Sequence, residues 1–269
     1  MNIHNKRYKT IVLLTACVNP NGMSHTKLQD IEIRKQQYID ALNFYLQKTL
    51  LPICFVENTG YDMSKEFQDY INTGRLEYLC FYGNNYASER GKGYGEAKII
   101  LYSLYHSQMM RNCKYFIKVT GRVIVPDIEK IAKSPFLSIN SVFRSDILGN
   151  DFIRTVVFIT TPKIIGDILE SRIEDITEKK GYILEEIIAS ELIYRKYIHV
   201  IPFFSTVYIN GIFATKNIPY ENISSIVTLR DNLYFLSIIE EIRGFKLRRF
   251  FTKLLYYLTF IYCLHGTKY

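Results

Sequence analysis

The residues best suited to chemistry lie in Lys118-Val-Thr-Gly-Arg122, where two cations flank a Thr-Gly step at the end of an apolar strand-like run. Arginine can grip a phosphate through two parallel N–H bonds, and lysine adds a point charge. The structural alternative is that Arg122 caps a loop and Lys118 pairs with an acid at a sheet edge; a charge inside a buried strand pattern needs a partner in either case. About twenty residues upstream, Gly91-Lys-Gly-Tyr-Gly95 precedes Glu96 and a helical pattern. Such a loop could bring backbone N–H groups close to phosphate. It matches neither the P-loop nor the dinucleotide fingerprint, and taken alone it reads as a turn. Two adjacent acids, Glu185 and Glu186, open a later helical pattern and are candidates for a general base. Arg144, Asp146 and Arg154 fall between these groups, and none stands out.

These groups need elements to hold them. Thr10 to Ala16 is short, β-branched and non-alternating, as a buried parallel strand would be, and it stops at Asn19-Pro-Asn-Gly22. Gln29 to Lys48 predicts a helix whose apolar positions are Ile33, Tyr38, Ala41, Leu42 and Tyr45. Strands follow at Pro52–Val56, Leu76–Phe81 and Tyr115–Val119, with helices at Lys65–Asn72 and from Ala97 to about Met110. Val156–Thr160 predicts a further strand, Pro162–Ile176 and Tyr182–Tyr197 predict helices, and Ile198–Ile209 predicts a strand pair interrupted by Pro202. Strands and helices that alternate with short connections predict an α/β layer with a mostly parallel sheet, whose ligands bind outside the carboxyl ends of the strands. The polar clusters after strands one, two and four, and the glycine segment after strand three, all fall at that edge.

Composition sets the frame. With 269 residues, 48% apolar and 22% charged, the chain is an ordinary globular one rather than disordered or fibrous. No apolar run reaches eighteen residues, and the polar start is unlike a signal peptide, so the cytoplasm is expected. The five cysteines lie far apart without metal-ligand spacing and read as small hydrophobes. The formal charge is +8, of which +6 falls in residues 243–269 (Arg243, Lys246, Arg248, Arg249, Lys253, Lys268). A nucleic-acid binder would spread its charge over the folded body, so no nucleic-acid partner is expected. The same tail carries a nearly continuous aromatic and aliphatic run, including Phe250, Phe251, Leu254, Leu255, Tyr257, Ile261 and Tyr262. Basic residues followed by bulky apolar ones predict a segment lying on an anionic membrane surface; the alternative is a helix docked on the protein's own core. The expected organisation is one domain over 1–242 and a basic amphipathic tail over 243–269.

The order of Leu13-Leu-Thr-Ala-Cys17, Phe55-Val-Glu-Asn58, Gly91-Lys-Gly-Tyr-Gly-Glu-Ala97 and Phe116-Ile-Lys-Val-Thr-Gly-Arg122 resembles bacterial glycosyltransferases of capsule, O-antigen and lipooligosaccharide clusters. The likeness spans about the first half of the chain and more loosely the second. It implies the GT-A-type, Rossmann-like fold and a nucleotide-sugar donor. On this likeness Thr15, Ala16 and Asn19 hold the base, and Glu57 with Asn58 holds base or ribose. Gly93, Gly95 and Glu96 line the donor pocket, while Lys118, Thr120 and Gly121 flank the diphosphate. Where many such enzymes carry the metal-binding D-x-D, this chain has Lys118–Arg122; Asp127-Ile-Glu129 follows Pro126 and reads as the acidic first turn of a helix.

The implied activity is therefore a metal-independent glycosyltransferase with no cofactor, a divalent metal being the less favoured alternative. Arg122, helped by Lys118, would stabilise the leaving group, and Glu185, ahead of Glu186, would act as base. It would move a sugar, from a UDP-sugar for preference, to a lipid-linked or core oligosaccharide at the inner face of the cell membrane. The competing class is a non-catalytic nucleotide- or polyanion-binding protein at the membrane surface.

Overall fold

The β-branched and apolar residues from Tyr8 to Ala16 form β1, which in the computed structural model lies mid-sheet with only Lys9 exposed. The structure describes residues 6–21, 23, 26–147, 153–213, 217–220, 222 and 225–266, with backbone alone at 213, 225 and 261–266. Gly22 of the expected turn, the side chains of Ile261, Tyr262 and Cys263, and Lys268 lie outside the described residues. After β1 come α1 (Ile31–Lys48), β2 (Ile53–Glu57), α2 (Gln68–Asn72), β3 (Leu76–Cys80), α3 (Gly91–His106), α4 (Gln108–Arg111) and β4 (Cys113–Thr120). Then follow α5 (Ile128–Ala132), β5 (Val142–Phe143), β6 (Val157–Thr160), α6 (Pro162–Arg172), α7 (Leu184–Tyr194) and β7 (His199–Val200). The chain closes with β8 (Ile212–Phe213), β9 (Ile218–Pro219), α8 (Ser225–Ile242) and α9 (Lys246–Gly266).

Among the described residues the main sheet has five strands in the order β3-β2-β1-β4-β6. The first four are parallel, as expected, and β6 runs antiparallel to β4. Register sets Thr15 of β1 opposite both Val56 of β2 and Thr120 of β4, so these three strands end level with one another. Side chains alternate between two cores. Val12, Leu14, Phe55 and Ile117 meet Tyr38, Leu42 and Tyr45 of α1 on one face. Leu13, Val56, Phe116 and Phe158 meet α3, α6 and α7 on the other. The mostly parallel α/β layer flanked by helices is thus the fold of this chain.

Three elements differ from expectation, each for a tertiary reason. The glycine segment is not a loop: α3 begins at Gly91, six residues before the expected start. Glycine is a poor helix former, but these positions need its missing Cβ. A Cβ on Gly91 would lie 2.2 Å from the Glu178 carboxyl carbon, one on Gly93 3.0 Å from Leu184, and one on Gly95 2.1 Å from the Tyr86 hydroxyl. The helix expected to run to Met110 breaks at Ser107, where Glu77 accepts from the Ser107 hydroxyl (2.6 Å) and from the Gln108 and Met109 N–H groups (both 2.7 Å). Of the expected strand pair over 198–209, only His199–Val200 pairs, with β5.

The C-terminal region is a helical hairpin. Arg243 is buried, and its guanidinium donates to the carbonyls of Ile198 (2.8 Å) and Leu192. Gly244 makes the turn at φ +77°. Asn232 ties α8 to the body by accepting from Ile147 N–H (2.8 Å) and donating to the Phe203 carbonyl (3.0 Å). On α9, Arg248 pairs with Glu240 (3.3 Å) and Arg249 with Glu241 (2.7 Å) of α8. Leu247, Phe250, Phe251, Leu255 and Leu258 stay exposed. Among the described residues no helix is long and apolar enough to cross a membrane.

Candidate functional site

A pocket of about 100 Å³ opens at the carboxyl ends of β1 and β4, the edge where parallel sheets bind ligands. Thr15, Ala16 and Cys17 form one wall, Asn58 and Gly95 another, and Glu96, Thr120 and Arg122 line it from α3 and β4. Burial pushes the Cys17 thiol up to about 11, so the sulfur on this wall is neutral.

Two residues that sequence reasoning missed shape the first wall. Arg34 and Tyr38 of α1 both line the pocket. Arg34 donates through Nε to the carbonyls of Cys17 (3.1 Å) and Val18 (3.2 Å), and through Nη1 to Leu28 (3.3 Å). The Tyr38 hydroxyl accepts from Cys17 N–H (3.0 Å). The loop after β1 is thereby fixed against the helix. A signal existed, since the buried stripe of α1 runs Arg34, Tyr38, Ala41, Leu42, Tyr45 while Ile33 is half exposed. A cation at an apolar-stripe position marks a residue with work to do.

Glu57 is fully buried and serves the same loop. Its oxygens accept from Val18 N–H (3.0 Å), Thr59 N–H (2.8 Å), Tyr61 N–H (2.9 Å) and the Thr59 hydroxyl (2.5 Å). It holds the pocket wall together and does not line the pocket. Asn19 lies behind that wall, donating to the Thr59 hydroxyl (3.3 Å) and accepting from Asn84 (3.1 Å). Asn58 does line the pocket, and its buried Oδ1 has no hydrogen-bond partner among the described residues. A buried acceptor without a donor costs about 1–3 kcal/mol, and a ligand N–H or O–H would relieve it.

On the opposite wall Lys118 is fully buried and ion-paired with Glu96, and it donates to the Thr155 carbonyl (2.8 Å) and the Thr120 hydroxyl (3.2 Å). Of the two readings of Lys118, pairing with an acid is the one observed. Burial, and the like charge of Glu185, raise the Glu96 pKa against the pull of Lys118. Thr155 then donates its hydroxyl to Glu185 (2.7 Å), so Glu96, Lys118, Thr155 and Glu185 form one chain of contacts. Glu186 enters none of these bonds. Tyr220, after β9, is close enough to feel Arg122, Arg154, Glu96 and Glu185, and burial raises its phenol.

Arg122 is 6% exposed, and its guanidinium donates to Gln37 (3.3 Å) with no carboxylate partner among the described residues. Burial lowers its pKa, and nearby Arg34 lowers it further. Gly121 lies behind it, its N–H donating to the Thr15 carbonyl (2.8 Å), where a Cβ would also fall at 2.8 Å. Gly93 N–H donates to Glu178 (2.9 Å), so the start of α3 is capped by the protein's own carboxylate. Of the acceptor-side residues, Arg154 pairs with Asp146 (3.6 Å), and Arg144 lies between the rings of Phe136 (5.0 Å) and Phe203 (5.2 Å).

A divalent metal, which the GT-A likeness implies, does not suit this donor set. The carboxylates on this wall are Glu96, tied to Lys118, and Glu185, tied to Thr155. Asp127 and Glu129 belong to the start of α5, where Glu129 accepts from Leu50 N–H (2.7 Å). Among the described residues no three His, Cys, Asp or Glu side chains converge on one point.

No protein-family model matches the chain, and no curated protein matches it in sequence. Solved structures give distant likenesses. A cytidylyltransferase from Leptospira borgpetersenii is 11% identical, over 87% of this chain and 88% of that one, with a TM-score of 0.44. S. aureus TarS in complex with UDP is 11% identical, over 92% of this chain and 72% of that one, at 0.41. The 4-diphosphocytidyl-2C-methyl-D-erythritol synthase of Anaerococcus prevotii is 10% identical, over 88% of this chain and all of that one, at 0.38. TM-scores below 0.5 give these neighbours no bearing on the reaction.

Proposed function

We propose that this protein is a metal-independent glycosyltransferase that takes a sugar from a nucleotide-sugar donor, for preference a UDP-sugar, and passes it to a lipid-linked or core oligosaccharide of a bacterial surface polysaccharide. One observation carries the reading. A pocket at the carboxyl edge of the parallel sheet combines a buried, acid-free Arg122 with the Glu96 carboxylate and the unpartnered Asn58 Oδ1. A diphosphate needs the first, sugar hydroxyls suit the second, and a base or ribose donor suits the third.

In an inverting transfer Glu185 takes the proton of the acceptor hydroxyl as that oxygen attacks the anomeric carbon. The bond from that carbon to the phosphate oxygen breaks, its electron pair leaves on the diphosphate, and Arg122 stabilises the new charge. Lys118 holds Glu96 in place rather than touching phosphate. The exposed apolar side of α9, with Lys246 and Lys253 at its start, rests on an anionic membrane where such acceptors reside. The test is a panel of nucleotide sugars in EDTA, followed by slow donor hydrolysis and transfer to acceptor. Hydrolysis of one sugar nucleotide by the wild type, lost in Arg122→Ala, supports the reading. Binding of heparin or DNA without any nucleotide response would instead favour a polyanion-binding protein.

A further inference from the structure

The pocket holds more positive charge than the protein neutralises. Arg34 and Arg122 are 5% and 6% exposed, they line the same pocket, and Arg34 acts on Arg122 as a like charge. The partners of Arg34 are three backbone carbonyls and the Tyr38 hydroxyl (3.4 Å), which carry dipoles but no formal charge. Arg122 has the neutral Gln37 amide. The acids nearby are committed elsewhere, with Glu96 ion-paired to Lys118 and Glu57 spending its oxygens on Val18, Thr59 and Tyr61. Arg34 also sits in the first turns of an 18-residue helix, whose N-terminal dipole end is itself positive. Two buried guanidiniums lining one pocket, whose one lining carboxylate, Glu96, is already paired with Lys118, are mutually repulsive, and an anion with two or more charges removes that repulsion.

We propose that Arg34 and Arg122 together form a two-arginine clamp for a diphosphate group, with Arg34 linking phosphate occupancy to the loop after β1. This rests on the donor reading above and extends it to a residue outside the sequence motifs. Arg34 grips the carbonyls of Cys17, Val18 and Leu28 through Nε and Nη1, so an anion drawn to its charge at the pocket edge also bears on the wall built from Thr15 to Cys17. The diphosphate and the base wall are then held by one side chain.

Calorimetric titration in EDTA with inorganic pyrophosphate, UDP and uridine tests this. The wild type should bind pyrophosphate and UDP without added metal, and uridine more weakly than UDP. Arg34→Gln and Arg122→Gln should each weaken pyrophosphate and UDP about tenfold or more, corresponding to about 1.4 kcal/mol. Arg122→Gln should leave uridine within about twofold, whereas Arg34→Gln, which also frees the Cys17–Val18 wall, should weaken uridine as well. Lys163→Gln, which removes one positive charge on α6 outside the pocket lining, where Lys163 pairs with Asp167 (2.9 Å), should leave pyrophosphate unchanged. Should Arg34→Gln fold poorly, Arg34→Lys keeps the charge and loses the fork, and should show a smaller loss for pyrophosphate than Arg34→Gln. Unchanged pyrophosphate binding in the Arg34 variants, or an equal loss in Lys163→Gln, overturns the clamp. UDP binding without any pyrophosphate binding also overturns it while leaving the donor reading intact. Arginine-dependent pyrophosphate binding with no response to any nucleotide sustains the clamp and removes the donor reading.

Discussion

Replacing Lys118 by Met tests the wall that holds Glu96. Lys118 is fully buried, and its ammonium serves the Glu96 carboxylate, the Thr155 carbonyl and the Thr120 hydroxyl. Removing one partner of a buried pair costs about 3–5 kcal/mol because the other charge is stranded. The Glu96 side chain retains 21% exposure, so the lower end applies and Lys118→Met should lose about 3 kcal/mol. With a urea slope of about 3 kcal/mol/M, that moves the unfolding midpoint down by about 1 M. The sign with pH follows from Glu96, whose folded pKa is already raised by burial. A carboxyl raised above its unfolded value binds its proton more tightly when folded, so its contribution to stability declines as pH rises from the unfolded value through the folded one. Without Lys118 that rise grows, and the cost of the substitution should be smaller near pH 5 than near pH 8. Glu96→Gln added to Lys118→Met should recover much of the loss and flatten the pH dependence. The assay is urea unfolding followed by circular dichroism at the two pH values. A Lys118→Met midpoint within 0.2 M of wild type, taking about 0.6 kcal/mol as the detection floor, or additive single and double losses, would refute the assignment of a buried ion pair.

Arg122→Ala should lower turnover about 10²–10³-fold with activity unaffected by EDTA, read in the hydrolysis or transfer assay; manganese rescue of an EDTA-treated enzyme would count against the metal-free reading. Glu185→Gln should keep donor binding and lose transfer about 10²–10⁴-fold while Glu186→Gln stays near wild type, because Glu185 joins the Thr155 contact and Glu186 does not. Arg243→Ala should destabilise the fold by about 2–4 kcal/mol in urea unfolding, since it strands buried carbonyls of Leu192 and Ile198. Deletion from Lys246 onward should leave donor binding intact and abolish flotation with anionic vesicles; flotation unchanged by the deletion would remove α9 as the membrane contact.

The strands were legible because a buried parallel strand carries its own mark, a short run of β-branched and apolar residues ended by turn chemistry, as at Thr10–Ala16 and Pro52–Val56. The direction of β6 was not, because orientation depends on where the chain re-enters the sheet and leaves no trace in Val157–Thr160. The glycine segment misled for a related reason. Three glycines in five residues argue for a loop by propensity, and the cause of the helix lies 85 positions away in Glu178, whose carboxylate caps Gly93 N–H and occupies the space a side chain at Gly91 would need. The tail was read as starting at Arg243 because local charge rises there. Burial against carbonyls of α7 and the following loop makes that residue the lock of the α8–α9 hairpin instead.

The candidate site divides along the same line. A sequence shows that a cation in an apolar run must be compensated, and both Lys118 and Arg34 satisfy that rule. It does not show by what. Lys118 is answered inside the protein by Glu96, 22 residues upstream, and this removes it from the set of groups free to meet phosphate. Among the described residues Arg34 and Arg122 are answered by dipoles alone, and this leaves them in it. Residue type and spacing rank these three cations by their distance from the strand end. Compensation reverses the ranking, since the lysine inside the motif is spent and the arginine outside it is not. Within the pocket lining, the discriminating quantity is therefore the charge left over once the buried pairs are formed, and there it falls on the guanidiniums of Arg34 and Arg122.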